Sequence, residues 1–407
     1  MTSSSFLGNI GKSFAKILGK DTPSKSRIPY LIVWNFTNSC NLKCKHCYQN
    51  AQLEATPDEL TLKEKLDFVD TLAEAGVKVP MLSGGEPLLH PDFFPVLEKL
   101  ASKKMHASAA SNGTMITPEF ARKLKDAGLG YIEISLDSIS PEKHDEFRGM
   151  KGAWEKTVEG IKNCIDAGIF TAVCAVFTKN TLDEVDAMVD FASFLGAHRF
   201  IHFNFVPTGR GPEIADQDLS PEEREEVLIK LFKKRRTAGL EVLSTAPQFG
   251  RVCLEQSLGD RLKRDYVYVE TQAQKSSQFY VSSPTHFSML KDNGRSDISI
   301  DAMKGCGAGR QFCCIQPNGD VTPCMFIPDY IVGNIRTEPF TALWEKLGEE
   351  PCFMDREILD DECGSCQFRY VCGGCRARAI NYIGNKLAAD TGCIRNKKKW
   401  LIEQGKN

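Results

Sequence analysis

The sequence lacks any apolar run long enough to cross a membrane. Its longest uncharged apolar runs, such as residues 168–177, are far shorter than the roughly 20 residues that a transmembrane helix requires. It also lacks an excess of charge of either sign, because 51 basic residues are balanced by 53 acidic ones. Without a net field to gather polyanions, nucleic acid is not an expected partner. We therefore predict a protein that neither spans a membrane nor binds nucleic acid.

Two further absences bear on the compartment. The N-terminus has neither the apolar core nor the small-residue cleavage site of a secretory signal. The 16 cysteines among 407 residues are too few for a disulfide scaffold. Both absences predict a reducing, cytoplasmic location. At this length the chain is expected to form one large α/β domain and a smaller one.

Three cysteines stand close together after the first predicted strand. Cys40, Cys44 and Cys47 have the spacing Cys-x3-Cys-x2-Cys and are followed by Tyr48. Thiolates are the usual ligands of an iron-sulfur cluster, and a cubane takes one ligand per iron, so three cysteines leave one iron open. An open metal position can bind and polarise a substrate. The alternative is a zinc knuckle completed by His46, but adjacent residues such as His46 and Cys47 can hardly share one tetrahedron.

From residue 30 to about 207 the chain alternates short β-rich runs with amphipathic stretches. Thr61 with Glu64 forms a capping box before one of these stretches, and Thr117 with Pro118 begins another. The alternation is expected of repeated βα units on a parallel sheet, and it predicts an α/β fold with a partial (βα)6 TIM-like barrel. The six predicted strands lie at residues 30–36, 77–82, 105–110, 130–136, 169–177 and 199–206.

Unusual residues follow the carboxyl ends of five predicted strands. In a parallel barrel these ends share one face, where active sites form. Paired glycines let backbone approach a ligand closely, and a carboxylate can pair with a ligand ammonium. The sequence therefore predicts one cavity lined by the three cysteines and by four later groups. These groups are Ser83-Gly84-Gly85-Glu86-Pro87, Ser111-Asn112-Gly113, Asp137 and Pro207-Thr208-Gly209-Arg210-Gly211.

The C-terminal quarter contains most of the remaining cysteines. Paired Cys-x2-Cys units indicate metal binding, and taken alone they leave zinc ribbons and iron-sulfur clusters equally open. The spacing is Cys306-x6-Cys313-Cys314-x9-Cys324, followed by Cys363-x2-Cys366-x5-Cys372-x2-Cys375-x17-Cys393.

An apolar strand that runs into Cys-x3-Cys-x2-Cys-Tyr resembles the radical S-adenosylmethionine (SAM) superfamily. In that family the open iron chelates the amino and carboxylate groups of SAM. One electron from the cluster cleaves SAM to a 5'-deoxyadenosyl radical, which takes hydrogen from a substrate. The resemblance implies that the motif Gly84-Gly85-Glu86-Pro87 binds the SAM amino group. It implies further SAM contacts at Tyr48, Ser111, Asn112, Ser135, Asp137 and Arg148.

The C-terminal spacing resembles the SPASM extension of radical SAM enzymes, whose early part Gly319 and Cys324 match. The resemblance implies two auxiliary four-iron clusters beside the radical SAM cluster, and so three [4Fe-4S] clusters in all. The commoner pattern has three residues before the fourth late cysteine, whereas here only Gly373 and Gly374 precede Cys375. The implied ligands are Cys306, Cys313 or Cys314, Cys324 and Cys375 for one cluster, and Cys363, Cys366, Cys372 and Cys393 for the other.

The stretch VCGGCRARA at residues 371–379 resembles the tetrapyrrole-modifying members of heme and heme d biosynthesis. It implies a radical enzyme acting on a tetrapyrrole side chain, with Arg376 and Arg378 as candidate carboxylate partners and a ferredoxin or flavodoxin-type electron donor. The alternative enzyme is a peptide maturase. Many maturases carry an N-terminal peptide-recognition domain, which residues 1–29 cannot supply. A non-catalytic electron carrier or zinc scaffold is the alternative of another class, but it would need no open iron.

Two segments have no fixed place in this scheme. Residues 6–18 are predicted to form a short basic amphipathic helix, which either packs on its own barrel or contacts a membrane surface or a partner. Residues 266–295 are polar and dotted with aromatics, and we expect either a substrate-facing lid or a surface insertion. We expect four units: an extension (1–29), the radical SAM barrel (30–211), a bridge (212–305) and an auxiliary-cluster domain (306–407).

Overall fold

The computed structural model describes residues 26–257 and 305–396. In these ranges ten strands form a single sheet. The strands are β1 (Leu31–Thr37), β2 (Val79–Gly84), β3 (Ser108–Ser111), β4 (Tyr131–Ser135), β5 (Phe170–Ala175), β6 (Arg199–His202), β7 (Glu241–Ser244), β8 (Phe312–Ile315), β9 (Asp320–Thr322) and β10 (Gly333–Asn334).

The strand order is β10-β9-β8-β1-β2-β3-β4-β5-β6-β7. Every pair from β8 across to β7 is parallel, and only β9 and β10 at one edge are antiparallel. Helices connect the parallel strands and cover the outer face. They are α1 (Leu62–Ala75), α2 (Phe93–Ser102), α3 (Pro118–Asp126), α4 (Pro141–Arg148), α5 (Ala153–Asp166), α6 (Val185–Phe194), α7 (Pro221–Lys234) and α8 (residues 248–257).

The C-terminal region adds four helices to the described part of the fold. Short 3-10 turns occur at Pro87–Leu89, Leu182–Glu184, Gly211–Gln217 and Ile394–Asn396. The C-terminal helices are α9 (Phe340–Glu349), α10 (Pro351–Met354), α11 (Asp361–Ser365) and α12 (Arg376–Ile383).

The first strand is buried on both faces. Trp34 and Phe36 pack into the core between sheet and helices, whereas Leu31 and Val33 pack into the core on the inner side of the barrel. Successive residues of a strand point to opposite faces, so β1 needs apolar residues at nearly every position. This explains why it reads as the continuous apolar run that leads into the cysteine motif.

The predicted helix starts are confirmed. Thr61 and Glu64 form both hydrogen bonds of a capping box at the start of α1. The Thr117 side chain accepts a hydrogen bond from the backbone of Phe120. Ser220 forms the equivalent capping box before α7. Each cap satisfies backbone N–H groups that the helix cannot pair, and contributes about 1 kcal/mol.

The predicted partial barrel is confirmed, and the parallel sheet extends beyond the six predicted strands. β7 lies in the segment described above as a bridge, and its four residues are too few to show an alternating pattern. β8 pairs in parallel with β1, with Leu31 opposite Phe312 and Trp34 opposite Ile315. The C-terminal cysteine region therefore begins inside the barrel sheet, directly beside the strand that leads to the first cysteine motif.

Two predictions fall outside the described residues. They concern the amphipathic helix at residues 6–18 and the aromatic-dotted segment at residues 266–295. In the ranges that the structure describes, no helix has the length and apolar character needed to cross a membrane.

Candidate active site and cysteine groups

A cavity opens at the carboxyl ends of the barrel strands, with about 1200 Å³ of empty space including its mouth. Cys40, Cys44 and Cys47 all line it, and so does Tyr48. The structure thus brings together residues from loops that follow four different strands. The other predicted site residues that line the cavity are Gly84, Gly85, Ser111, Asn112, Ser135, Asp137 and Arg148.

The cysteine loop is held by an arginine from the opposite side of the barrel. Arg210 Nε donates to the carbonyl of Cys44 at 2.9 Å, and its Nη1 donates to the carbonyl of Ala51 at 2.8 Å. The backbone N–H of Arg210 donates to the carbonyl of Cys47 at 3.0 Å. The sequence singled out the loop that contains Arg210, but it gave this side chain no role. Its function here is to fix the loop that carries the three thiols.

A glycine lets the loop after β2 pack onto the same cysteine loop. A Cβ atom at Gly85 would lie 2.1 Å from the carbonyl oxygen of Ser39, closer than any side chain allows. Backbone hydrogen bonds join the two loops, from Gly85 to Thr37 at 2.8 Å and from Glu86 to Ser39 at 2.7 Å. The paired glycines therefore form a cradle against the cysteine loop and also line the cavity.

Glu86 and Pro87 are not among the described residues that line the cavity. The Glu86 carboxylate accepts hydrogen bonds from Ser111 Oγ at 2.9 Å, from the Asn112 backbone at 2.7 Å and from the Leu88 backbone at 3.2 Å. Burial raises the pKa of Glu86 to about 7. The carboxylate that the sequence assigned to a ligand ammonium is thus used to hold the turn after β3.

Asp137 and Arg148 form a buried ion pair at the edge of the cavity. Arg148 Nε lies 2.6 Å from Asp137 Oδ2, and Arg148 Nη1 lies 3.7 Å from the Cys44 sulfur. Burial acts to raise the pKa of Asp137, but Arg148, together with His46 and His144, outweighs burial and holds that pKa below its ordinary value. Arg148 therefore has a protein carboxylate as its partner and also stabilises negative charge on a thiol.

Tyr48 and His46 are packed rather than free. Tyr48 Oη donates to Asn35 Oδ1 at 2.9 Å, and burial raises the pKa of this hydroxyl. His46 stacks on Phe147 with ring centroids 4.3 Å apart, and burial lowers the pKa of His46 to about 3. Across residues 26–257 and 305–396, no three His, Cys, Asp or Glu side chains are arranged around a single metal ion.

Four C-terminal cysteines form a first auxiliary group on the inner side of the barrel. Burial raises the pKa of the Cys324 thiol, and neighbouring Cys306 and Cys375 raise it further. Cys314 packs with these three, whereas adjacent Cys313 faces the core on the helix side, because successive strand residues alternate. Of the two cysteines that the sequence left open, the structure brings Cys314 to the group. The first auxiliary group is Cys306, Cys314, Cys324 and Cys375.

A second auxiliary group lines a separate cavity with about 350 Å³ of empty space. Arg251 and Arg395 line the same cavity, and each is paired with Glu255. These four cysteines are the second ligand set that the resemblance to the SPASM extension implied. The second auxiliary group is Cys363, Cys366, Cys372 and Cys393.

The short spacing between Cys372 and Cys375 has a geometric explanation. Gly373 and Gly374 both adopt the left-handed backbone region, with φ of 66° and 65°. Two such residues in succession turn the chain sharply, which side chains with a Cβ rarely allow. Cys372 consequently faces the second auxiliary group while Cys375 faces the first. The Asp390 carboxylate fixes this arrangement, because it accepts a hydrogen bond from the Cys375 backbone at 2.8 Å.

Arg376 and Arg378, the candidate partners of a substrate carboxylate, are both fully buried. Arg378 Nη1 lies 2.7 Å from Asp218 Oδ2, and its Nε lies 3.2 Å from Asp390 Oδ1. Neither arginine is among the described residues that line the cavity. Arg378 is therefore engaged with protein carboxylates, and the local pattern could not show this because Asp218 lies 160 residues away in the chain.

The wall of the cavity facing the C-terminal region is largely apolar. Met325 and Phe326 follow Cys324 directly in the chain and reach the cavity. The Phe326 ring packs edge-on against Tyr48, with ring centroids 5.3 Å apart. No local sequence pattern indicates this wall, since its residues come from two distant segments. Its members are Phe203, Phe205, Val206, Met325 and Phe326.

A parallel barrel with three cysteines at its open face and two further cysteine groups defines an iron-sulfur enzyme. The family model described as the Radical SAM superfamily matches residues 34–192. The model described as SPASM, an iron-sulfur cluster-binding domain, matches residues 306–367. The chain belongs to the radical SAM superfamily and carries a SPASM domain.

Similarity to individual proteins supports this family assignment. The chain is 33% identical over 368 residues to the AdoMet-dependent heme synthase of Methanosarcina barkeri, covering 90% of this chain and 96% of that protein. It is 29% identical over 414 residues to the Fe-coproporphyrin III synthase of the same organism, covering 97% of each. SuiB of Streptococcus suis, solved with bound S-adenosylmethionine, has the same fold, with a TM-score of 0.66 and 18% identity over 90% of this chain and 78% of that one.

Family membership implies iron-sulfur clusters and SAM binding, and the described residues suit both. Three thiols share one cavity, and backbone at Gly84 and Gly85 reaches the same space. The cysteines Cys40 and Cys44 are buried enough that their thiol pKa values are raised, to about 12 for Cys40. Ligation by iron needs the thiolates, so cluster assembly at these cysteines releases protons.

Proposed function

We propose that this enzyme removes or alters a propionate or acetate side chain of a tetrapyrrole in heme-type cofactor biosynthesis. The observation that carries the proposal is the shape of the cavity, with thiols and polar groups on one side and an aromatic wall on the other. A tetrapyrrole is a flat, largely apolar ring with carboxylates at its rim, and aromatic side chains pack well on such a face. The names of the similar heme and Fe-coproporphyrin III synthases support this substrate class.

The polar side of the cavity would bind the cofactors. Cys40, Cys44 and Cys47 would hold a [4Fe-4S] cluster which, with SAM, supplies a 5'-deoxyadenosyl radical. Backbone at Gly84 and Gly85, together with the loop after β3, would contact the methionine part of SAM. The other proposed SAM contacts are Tyr48, Ser111, Asn112, Ser135, Asp137 and Arg148.

Three residues on the polar side of the cavity hold the proposed cofactor-binding loops in place. Arg210 immobilises the cysteine loop, and Glu86 immobilises the turn at Ser111 and Asn112. Arg148 balances the charge of Asp137 and of the Cys44 thiolate. A fixed arrangement matters because the reacting hydrogen has to lie within about 3–3.5 Å of the atom that removes it.

Radical decarboxylation would also require an acceptor for one electron. Loss of hydrogen from a propionate carbon, followed by loss of carbon dioxide, leaves a vinyl group and one electron. The first auxiliary group adjoins the aromatic wall, since Met325 and Phe326 follow Cys324 in the chain. We propose that this group and the second auxiliary group each hold a four-iron cluster, and that the first accepts this electron.

The test is to incubate the anaerobically reconstituted enzyme with SAM, a reductant and candidate tetrapyrroles. Iron-coproporphyrin and didecarboxysiroheme are suitable probes. The expected result is substrate-dependent loss of carbon dioxide or acetate groups, seen by mass, with matching formation of 5'-deoxyadenosine. If no tetrapyrrole is bound or changed, while a small peptide encoded beside the gene is modified, the substrate class is wrong and the enzyme is a maturase.

A further inference from the structure

Arg356 lies between the two auxiliary groups. It is fully buried and follows α10. Its Nη2 donates to the carbonyl of Cys306, a member of the first group, at 2.8 Å. Its guanidinium also packs on Gly373, next to Cys372 of the second group, because a Cβ atom there would lie 2.7 Å from its Cζ, Nε and Nη1 atoms. One side chain therefore contacts the backbone beside both groups.

Most of this guanidinium has no polar partner among the residues that the structure describes. Among the described residues, Arg356 Nε and Nη1 are buried without a hydrogen bond. Arg376 is buried beside it, and its Nε and Nη2 likewise find no acceptor in the described ranges. No ion pair within those ranges joins either arginine to a carboxylate, in contrast to Arg378 with Asp218 and Asp390. A buried charge of this kind is very costly unless something nearby balances it.

The groups beside Arg356 that could carry negative charge are cysteines of both groups, since Arg356 contacts the backbone of Cys306 and packs on Gly373 next to Cys372. Burial lowers the pKa of Arg356, and neighbouring Arg376 lowers it as well. Cys306, Cys372 and Cys363 act in the opposite direction. These are cysteines from the first group and from the second. Thiolates bound to iron would supply the missing negative charge and sulfur acceptors at this position.

We propose that Arg356 is a positioning residue shared by both auxiliary clusters, and that its buried guanidinium raises their reduction potentials. Positive charge and hydrogen bonds close to a cluster favour its reduced form, and both are levers that set cluster potentials. Arg356 would thereby make each cluster a better electron acceptor. The inference rests on the proposal that both groups hold clusters.

The test is a redox titration of the auxiliary clusters in the full-length chain, followed by electron paramagnetic resonance. Cys40, Cys44 and Cys47 are replaced by Ala in every sample, so that only the auxiliary clusters contribute. Arg356→Gln removes the charge, and Arg356→Lys retains it. The matched control is Arg336→Met, which removes a guanidinium of the same C-terminal region that is already paired with Glu64 at 2.6 Å.

The expected result is a shift of at least one midpoint potential to more negative values in Arg356→Gln, a smaller shift in Arg356→Lys and none in Arg336→Met. Iron that is lost from Arg356→Gln but retained in Arg356→Lys would also support the proposal, because the charge would then be needed for assembly. Unchanged potentials with full iron, or equal loss of iron from both Arg356 variants, would overturn it. Parent protein without auxiliary iron would instead refute the proposed clusters themselves.

Discussion

The barrel site and the C-terminal groups use the same ligand in opposite ways. In the barrel, three cysteines come from a single loop and face a large cavity that also contains the proposed SAM contacts. In the C-terminal region, cysteines gather in fours from separate loops, and the second group lines a much smaller cavity. An iron with no protein ligand is available for chemistry, whereas fully ligated clusters serve for storage and transfer of electrons. The number of cysteines and the size of the adjoining cavity therefore suit the barrel site to chemistry and the C-terminal groups to electron transfer.

Removing the barrel thiols should give the largest effect. The Cys40/Cys44/Cys47→Ala variant is expected to lose about a third of its roughly twelve irons, four per cubane, and to form no 5'-deoxyadenosine with dithionite. Iron analysis and chromatography of the nucleoside measure both. Cys164→Ala, which removes a buried thiol in α5 outside the three groups, is the control and should keep full iron and activity. Retention of all iron in the triple variant would contradict the division between regions.

The two adjacent cysteines of β8 sharpen the comparison inside the C-terminal region. Cys314→Ala should lose up to one cluster, or about four irons, because Cys314 belongs to the first auxiliary group. Cys313→Ala should keep its iron, since this thiol packs in the helix-side core. Both variants should still cleave SAM, because the barrel site is intact. Equal iron in the two variants would show that Cys314 is not a ligand.

The contrast also shows what the sequence could and could not predict. The spacing of Cys40, Cys44 and Cys47 is local, and the prediction that all three line one cavity agrees with the structure. The choice between Cys313 and Cys314 depends on which face of β8 is inward, and that is set by pairing with β1 across almost three hundred residues. The direction of Glu86 and the position of Arg356 are likewise decided by distant partners, so no local pattern indicates them.

The next prediction tests whether the two regions form one unit. Asp218 is fully buried and pairs with Arg224 at 2.5 Å and with Arg378 of the C-terminal region at 2.7 Å. Asp218→Asn leaves buried Arg224 without its counter-charge and Arg378 with Asp390 alone. It should lower the free energy of unfolding by about 3–5 kcal/mol. Denaturant unfolding of the reconstituted protein measures the change. Asp190→Asn, which breaks the exposed pair with Lys234, should cost about 0–1 kcal/mol.

The same residue predicts a dependence on pH. Burial acts to raise the pKa of Asp218, but Arg224 and Arg378 outweigh it and lower that pKa in the folded protein. The stability that Asp218 contributes is therefore present above the ordinary Asp pKa of about 3.9 and is lost as the pH falls through the folded value. The difference in stability between wild type and Asp218→Asn should shrink in acid. A constant difference would show that the pairing with the two arginines is not responsible.

The smallest expected effect concerns Glu86, which separates direct contact with SAM from support of the cavity wall. A direct partner of the SAM ammonium would lose affinity equally in Glu86→Ala and Glu86→Gln, since both remove the charge. In the structure Glu86 instead accepts three hydrogen bonds from the turns that carry Ser111, Asn112 and Leu88. Glu86→Ala leaves these donors unsatisfied, at about 1–3 kcal/mol for a buried group, and part of that loss should reach SAM binding as a weakening of about tenfold or less. Glu86→Gln retains an acceptor and should weaken binding less, in equilibrium dialysis of SAM with the reconstituted protein. Equal and large losses of SAM affinity in both variants would instead show that the Glu86 carboxylate contacts SAM directly.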